Sequence, residues 1–222
     1  MTPFILPAIL TLSRKASFVR ESPQSMPLLN PFSMRRLPQV VLIVTTAETA
    51  WLMMQIVHEL GHVLLAWLTS GEIARIVLHP LEISRTDLRT NPSPLIVCWG
   101  GPMFGAIAPL IPWAATHWRR WACEYWLKFF AGFCLIANGA YLAVGVREGI
   151  GDAGDLMRYG SPAWMLYGFG AVTIPAGLYL WNGLGMHFGL GINGQPISWR
   201  SANVCMAVLA LTIIAEVVFA SV

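Results

Sequence analysis

Val57-His58-Glu59-Leu60-Gly61-His62-Val63 lies inside an apolar run from about Val40 to Leu68. On a helix, residues four apart share a face. His58 and His62 would therefore aim two imidazoles at one point, which is what a tetrahedral metal site asks of two of its ligands. Glu59 stands beside them, placed to act as a general base. The flanks, Trp51-Leu52-Met53-Met54 and Leu64-Leu65-Ala66-Trp67-Leu68, offer these groups no water. Ionisable side chains are costly within an apolar helix, so such a cluster reads as functional. Two histidines merely hydrogen-bonded inside a bundle would be the plainer alternative, and the same cost argues against it.

The rest of the composition agrees with a membrane setting. Of 222 residues, 56% are hydrophobic and 11% charged, against about 25% charged in a soluble domain. The expected fold is an all-α polytopic membrane protein with about five transmembrane helices, placed in the bacterial inner (cell) membrane. The net charge of +3 is small and scattered, so no nucleic-acid partner is expected. Cys98, Cys123, Cys134 and Cys205 show no Cys-x-x-Cys spacing. They read as reduced packing residues rather than a zinc knuckle or a disulfide framework.

Residues 1–36 read as a flexible leader. Phe4 to Leu12 is apolar but short, and Arg14 and Lys15 follow it, whereas a signal peptide carries its charges first. Ser and Pro dominate Ser22 to Pro31. Met26 or Met34 is the alternative start, to be settled by N-terminal sequencing. Residues 37–222 are read as a single membrane-embedded domain.

The first span, about Val40 to Leu68, ends before Gly71, a helix stop. Alternation over residues 72–90, broken at Pro80, suggests a short interfacial strand or β-hairpin whose open edge could pair with an extended peptide, with an ordinary interfacial loop as the alternative. The second span is about Leu95 to Trp113. Its Gly100-Gly101-Pro102 and Gly105 would allow close packing against the first, while Pro109 and Pro112 suggest a kink. Trp113, Trp118, Trp121 and Trp126 around Arg119 and Arg120 resemble an aromatic belt. The third span is about Leu127 to Val146 and holds one notable polar residue, Asn138. The fourth is about Ala163 to Leu180, entered through Ser161-Pro162, and the fifth about Val204 to Ala220. A glycine-rich connection, Gly183 to Gly194, joins the last two. Alternating spans put nine of the 14 Lys and Arg on the N-terminal side, which by the positive-inside rule would be cytoplasmic.

A catalytic zinc site takes three protein ligands and leaves a fourth position open. His58 and His62 lie toward the C-terminal end of the first span. Two further crossings return the chain to that end after Val146, where Glu148, Asp152 and Asp155 are the candidates. Gly149, Gly151 and Gly154 would let the backbone dip inward beside a polar cavity.

His58-Glu59-Leu60-Gly61-His62 within a membrane helix resembles the site-2 protease family of intramembrane zinc metalloproteases. Gly100-Gly101-Pro102 is similar to the Gly-Pro element of that family's second core helix. Asp152-Ala153-Gly154-Asp155-Leu156 is similar to its Asp-Gly-Gly-x-Leu element, with Ala153 in place of the first Gly. The resemblance covers about Val40 to Leu156. It implies Zn²⁺ as cofactor, Asp152 as the third ligand beside His58 and His62, and Asn138 as the counterpart of the family's active-site Asn. Glu148 to Asp152 also matches by spacing a gluzincin Glu-x-x-x-Asp, but that pattern is helical and glycines oppose a helix.

The expected activity is hydrolysis of peptide bonds in membrane-associated proteins or peptides. Glu59 would be the general base and Asn138 a donor to the developing oxyanion. A non-proteolytic membrane regulator keeping the metal site is the alternative. A metal transporter should carry more polar residues in its other spans. The oligomeric state is not legible in the sequence.

Overall fold

The computed structural model describes residues 36–220, with the side chain of the last left out. The leader expected over residues 1–36, with its alternative starts at Met26 and Met34, lies outside the described residues apart from Arg36.

Helix α1, Leu37–Leu68, has 32 residues. At 1.5 Å per residue that is about 48 Å, longer than the ~30 Å hydrocarbon layer, so it must tilt or protrude. Its C-terminus closes differently from the expectation placed on Gly71. Ser70 takes the left-handed conformation, φ 60°. The Gly71 amide then reaches back to the Ala66 carbonyl at 2.7 Å, and the Ser70 amide to Trp67 at 3.3 Å, the paired bonds of a Schellman close.

Strands β1, Glu72–Val77, and β2, Arg85–Thr90, form the antiparallel hairpin expected there, with Glu72 opposite Thr90 and Val77 opposite Arg85. The second crossing runs through α2, Pro94–Ile107, and α3, Leu110–Arg119. It is longer than the sequence suggested. Pro109 caps α3 and Pro112 sits in its first turn, where a missing amide hydrogen breaks nothing. The helix is thus interrupted between Ile107 and Leu110 without ending the span.

Helix α4, Glu124–Glu148, is the third crossing. Gly149 ends it at φ 64°, and Gly151 starts α5, Gly151–Arg158, at φ 57°. The glycines break the chain where expected, but the residues after them are helical, which the glycine content had not suggested. Helix α6, Ala163–Trp181, is the fourth crossing. A 3-10 turn, Leu184–Phe188, orders part of the glycine-rich connection to α7, Trp199–Ala220. Among the described residues, five helical spans are long and apolar enough to cross a membrane, which makes this an integral membrane protein.

In lipid, helices gain little from hiding apolar surface against one another, so close backbone approach matters more. Gly61 of α1 and Gly100 of α2 meet in this way. A methyl group on Gly100 would stand 2.6 Å from the Gly61 carbonyl oxygen. Similarly, a methyl on Gly177 of α6 would lie 2.6 Å from the Gly132 carbonyl of α4. Helix α7 closes on the first half of α1 through Leu42, Ala202 and Cys205.

The tryptophans divide. Trp118 and Trp121 are exposed, and the Arg119 guanidinium lies over the Trp121 ring. Trp113 donates to Glu124, and Trp126 packs on the cluster around Leu42. All four cysteines are free thiols, Cys134 and Cys205 buried and Cys123 exposed. The second half of α1, the start of α2, the end of α4 and α5 all meet at one end, beside the hairpin.

Candidate metal centre

His58, Glu59 and His62 are all buried in α1. The break between α4 and α5 brings Asp152 back to them, as the count of crossings required. His58 Nε2 lies 2.8 Å from Asp152 Oδ2, and His62 Nε2 lies 3.3 Å from the same oxygen. The two Nε2 atoms are 3.2 Å apart. The other two acids are elsewhere. Asp155 turns to Arg158 at 3.1 Å, and Glu148 is exposed at the end of α4.

The outer nitrogens fix the tautomers. Asn138 Nδ2 donates to the Cys134 carbonyl at 2.9 Å. Its Oδ1 therefore faces His58 Nδ1, at 2.7 Å, as an acceptor. His62 Nδ1 likewise donates to the Val97 carbonyl of α2 at 2.8 Å. A neutral imidazole protonated at Nδ1 carries a lone pair at Nε2. Two lone pairs and a carboxylate oxygen thus converge with no hydrogen between them, and a cation relieves that repulsion.

The dimensions suit zinc. Zinc–ligand bonds of about 2.0–2.1 Å give a tetrahedron with edges of about 3.3 Å, against sides of 2.8, 3.2 and 3.3 Å here. Gly101 forms the floor. A methyl on it would strike His62 Nε2 and stand 2.6 Å from His58 Nε2. The donor set, its tautomers and the room left for it all fit a zinc ion.

The family described as Peptidase M50B-like matches residues 38–149, half of the chain. The chain belongs to that family. This agrees with the site-2 protease resemblance and places the protein among membrane metallopeptidases. The match runs from the start of α1 to the end of α4 and stops before Asp152, so that residue rests on its position alone. Comparison with curated proteins and with solved structures found no match.

Three contacts in this M50B-like site were invisible to sequence reasoning. Thr86 of β2 donates its hydroxyl to Glu59 Oε2 at 2.8 Å. The Val97 carbonyl orients His62. Tyr141 sets its ring edge-on to His58, centroids 5.8 Å apart, and its hydroxyl accepts from the Asp152 amide at 3.1 Å. Only Tyr141 left a trace in the sequence: it lies three residues after Asn138, on the same helical face.

The groups open onto a cavity of about 1100 Å³. Helices α1, α4 and α5 line one side. Residues 82–88 of the hairpin line the other, with Asn91.

Proposed function

We propose that this protein is an intramembrane zinc metallopeptidase that hydrolyses peptide bonds of membrane-associated proteins or peptides. The observation that carries the reading is the meeting of His58 Nε2, His62 Nε2 and Asp152 Oδ2 beside buried Glu59. These three residues would hold Zn²⁺. The ion would supply Lewis acidity, making water a better nucleophile near neutral pH and polarising the scissile carbonyl.

Glu59 would take the proton from the attacking water and later pass it to the leaving amine. Thr86 engages Oε2 of that carboxylate and leaves Oε1 for the proton. Asn138 serves through His58: its oxygen and one amide hydrogen are committed inside the protein. This favours an orienting role over direct donation to substrate.

Helical substrates hide their carbonyls in backbone hydrogen bonds, so the target must present an extended segment. Among the described residues, each strand of the hairpin has one unpaired edge to receive it. The proposed compartment is the bacterial inner membrane, since outer-membrane proteins cross as barrels and this chain crosses as helices.

The test is zinc content and cleavage of a membrane-tethered peptide by the purified protein, wild type beside Glu59→Gln. The variant should keep its zinc and lose cleavage by about 10²–10⁴-fold. Full activity in the variant would remove Glu59 as base. A zinc-loaded wild type that cleaves nothing would favour the regulatory alternative.

A further inference from the structure

The oxyanion formed when a peptide carbonyl is attacked is stabilised by hydrogen-bond donors aimed at it, in addition to any metal. Asn138 is poorly placed for it, since it is 1% exposed and already bound to His58 and Cys134. Tyr141, one turn further along α4, is 42% exposed and lines the cavity with Glu59, His58, His62 and Asp152. Its hydroxyl oxygen accepts from the Asp152 amide. A phenol has one hydrogen to donate, and among the described residues no acceptor takes it. The position is built from two sides. The ring stands edge-on to His58. Gly151 leaves room for the hydroxyl, because a side chain there would collide with the Tyr141 oxygen.

We propose that Tyr141 is the catalytic hydrogen-bond donor to the oxyanion formed when a peptide carbonyl is attacked in this cavity. The inference rests on the peptidase reading above. The Asp152 amide holds the phenol oxygen, which leaves the hydroxyl hydrogen for a substrate bound in the cavity. As the peptide carbon becomes tetrahedral, its oxygen gains charge and this donor strengthens.

The experiment compares wild type, Tyr141→Phe and Glu59→Gln as full-length zinc-loaded protein. Three quantities are read: zinc content, kcat and KM on a tethered peptide, and affinity for a phosphinic peptide, whose tetrahedral anion mimics the oxyanion. Tyr141→Phe should keep its zinc and its KM, lose kcat by about 100-fold, and bind the phosphinic peptide at least tenfold more weakly. Unchanged kcat and unchanged phosphinic affinity in Tyr141→Phe overturn the proposal while leaving the peptidase reading intact. So does a loss of kcat that tracks zinc loss and returns with added zinc, because Tyr141 would then only position Asp152. A wild type with no Glu59-dependent cleavage overturns both.

Discussion

The two walls of the cavity are built on opposite plans. On the helical wall the outer nitrogen of each ring and the Asp152 amide have fixed partners. His58 is held by Asn138, His62 by the Val97 carbonyl, and the Asp152 amide by Tyr141. Glycines lock the backbones beneath them. On the hairpin wall Leu81 and Ile83 are almost wholly exposed, and one hydrogen bond, Thr86 to Glu59, joins strand to centre. Metal ligands need positions fixed to fractions of an ångström, whereas a wall that receives varied extended segments gains from freedom. Substitutions at the three metal-binding side chains and at the groups that orient their rings should therefore act on zinc, and those on the hairpin on turnover.

The sharpest way to break this contrast lies at α5. Asp152→Ala should strip zinc, lowering affinity by more than the ~100-fold that marks loss of a ligand's hydrogen-bond partner. Asp155→Ala, which only frees Arg158, should leave zinc content unchanged. Metal analysis after gel filtration decides it; zinc lost from the second variant and kept by the first would reassign the ligand. Next in size comes Asn138→Ala. It leaves His58 free to turn and to change tautomer, so zinc affinity should fall by about 10–100-fold, measured by competition with a chelator. An unchanged affinity would mean that α1 alone orients the ring.

The same contrast explains what the sequence made legible. His58, Glu59 and His62 could be read directly because helical periodicity turns spacing into direction. The topology of five spans returned the chain to their depth and narrowed the third ligand to three acids. Only the resemblance picked Asp152 from these, and the structure sets that residue against both rings. Alternation left a strand, a hairpin or a loop open over residues 72–90, and the structure forms the hairpin. Contacts between elements were not legible. Nothing about Thr86 distinguishes it from Thr90, and Val97 acts through a carbonyl that every residue owns. The second span was ended at Trp113, the first tryptophan of the expected belt, whereas α3 runs on to Arg119. Helix α5 escaped notice because Gly151 and Gly154 lower helix propensity. Packing decides there instead: Ala153 and Leu156 of α5 are fully buried against Leu142 and Leu166.

The smallest effect expected is also the one that tests the hairpin. Thr86 holds one oxygen of a buried carboxylate whose other oxygen must face the reaction. Thr86→Val keeps the shape and removes the donor. A hydrogen bond to a charged group contributes about 1.5–3 kcal/mol where water cannot replace it. The cavity does admit water, so the expected loss is at the lower end, roughly tenfold in kcat. Zinc content should not move, because no ligand touches the strand. Thr86→Ser restores the hydroxyl and should restore most of the rate, which separates a bond to Glu59 from simple support of β2. If instead Thr86→Val lowers zinc content as Asn138→Ala does, the hairpin belongs to the rigid wall after all, and the division between a fixed centre and a free receiving face fails.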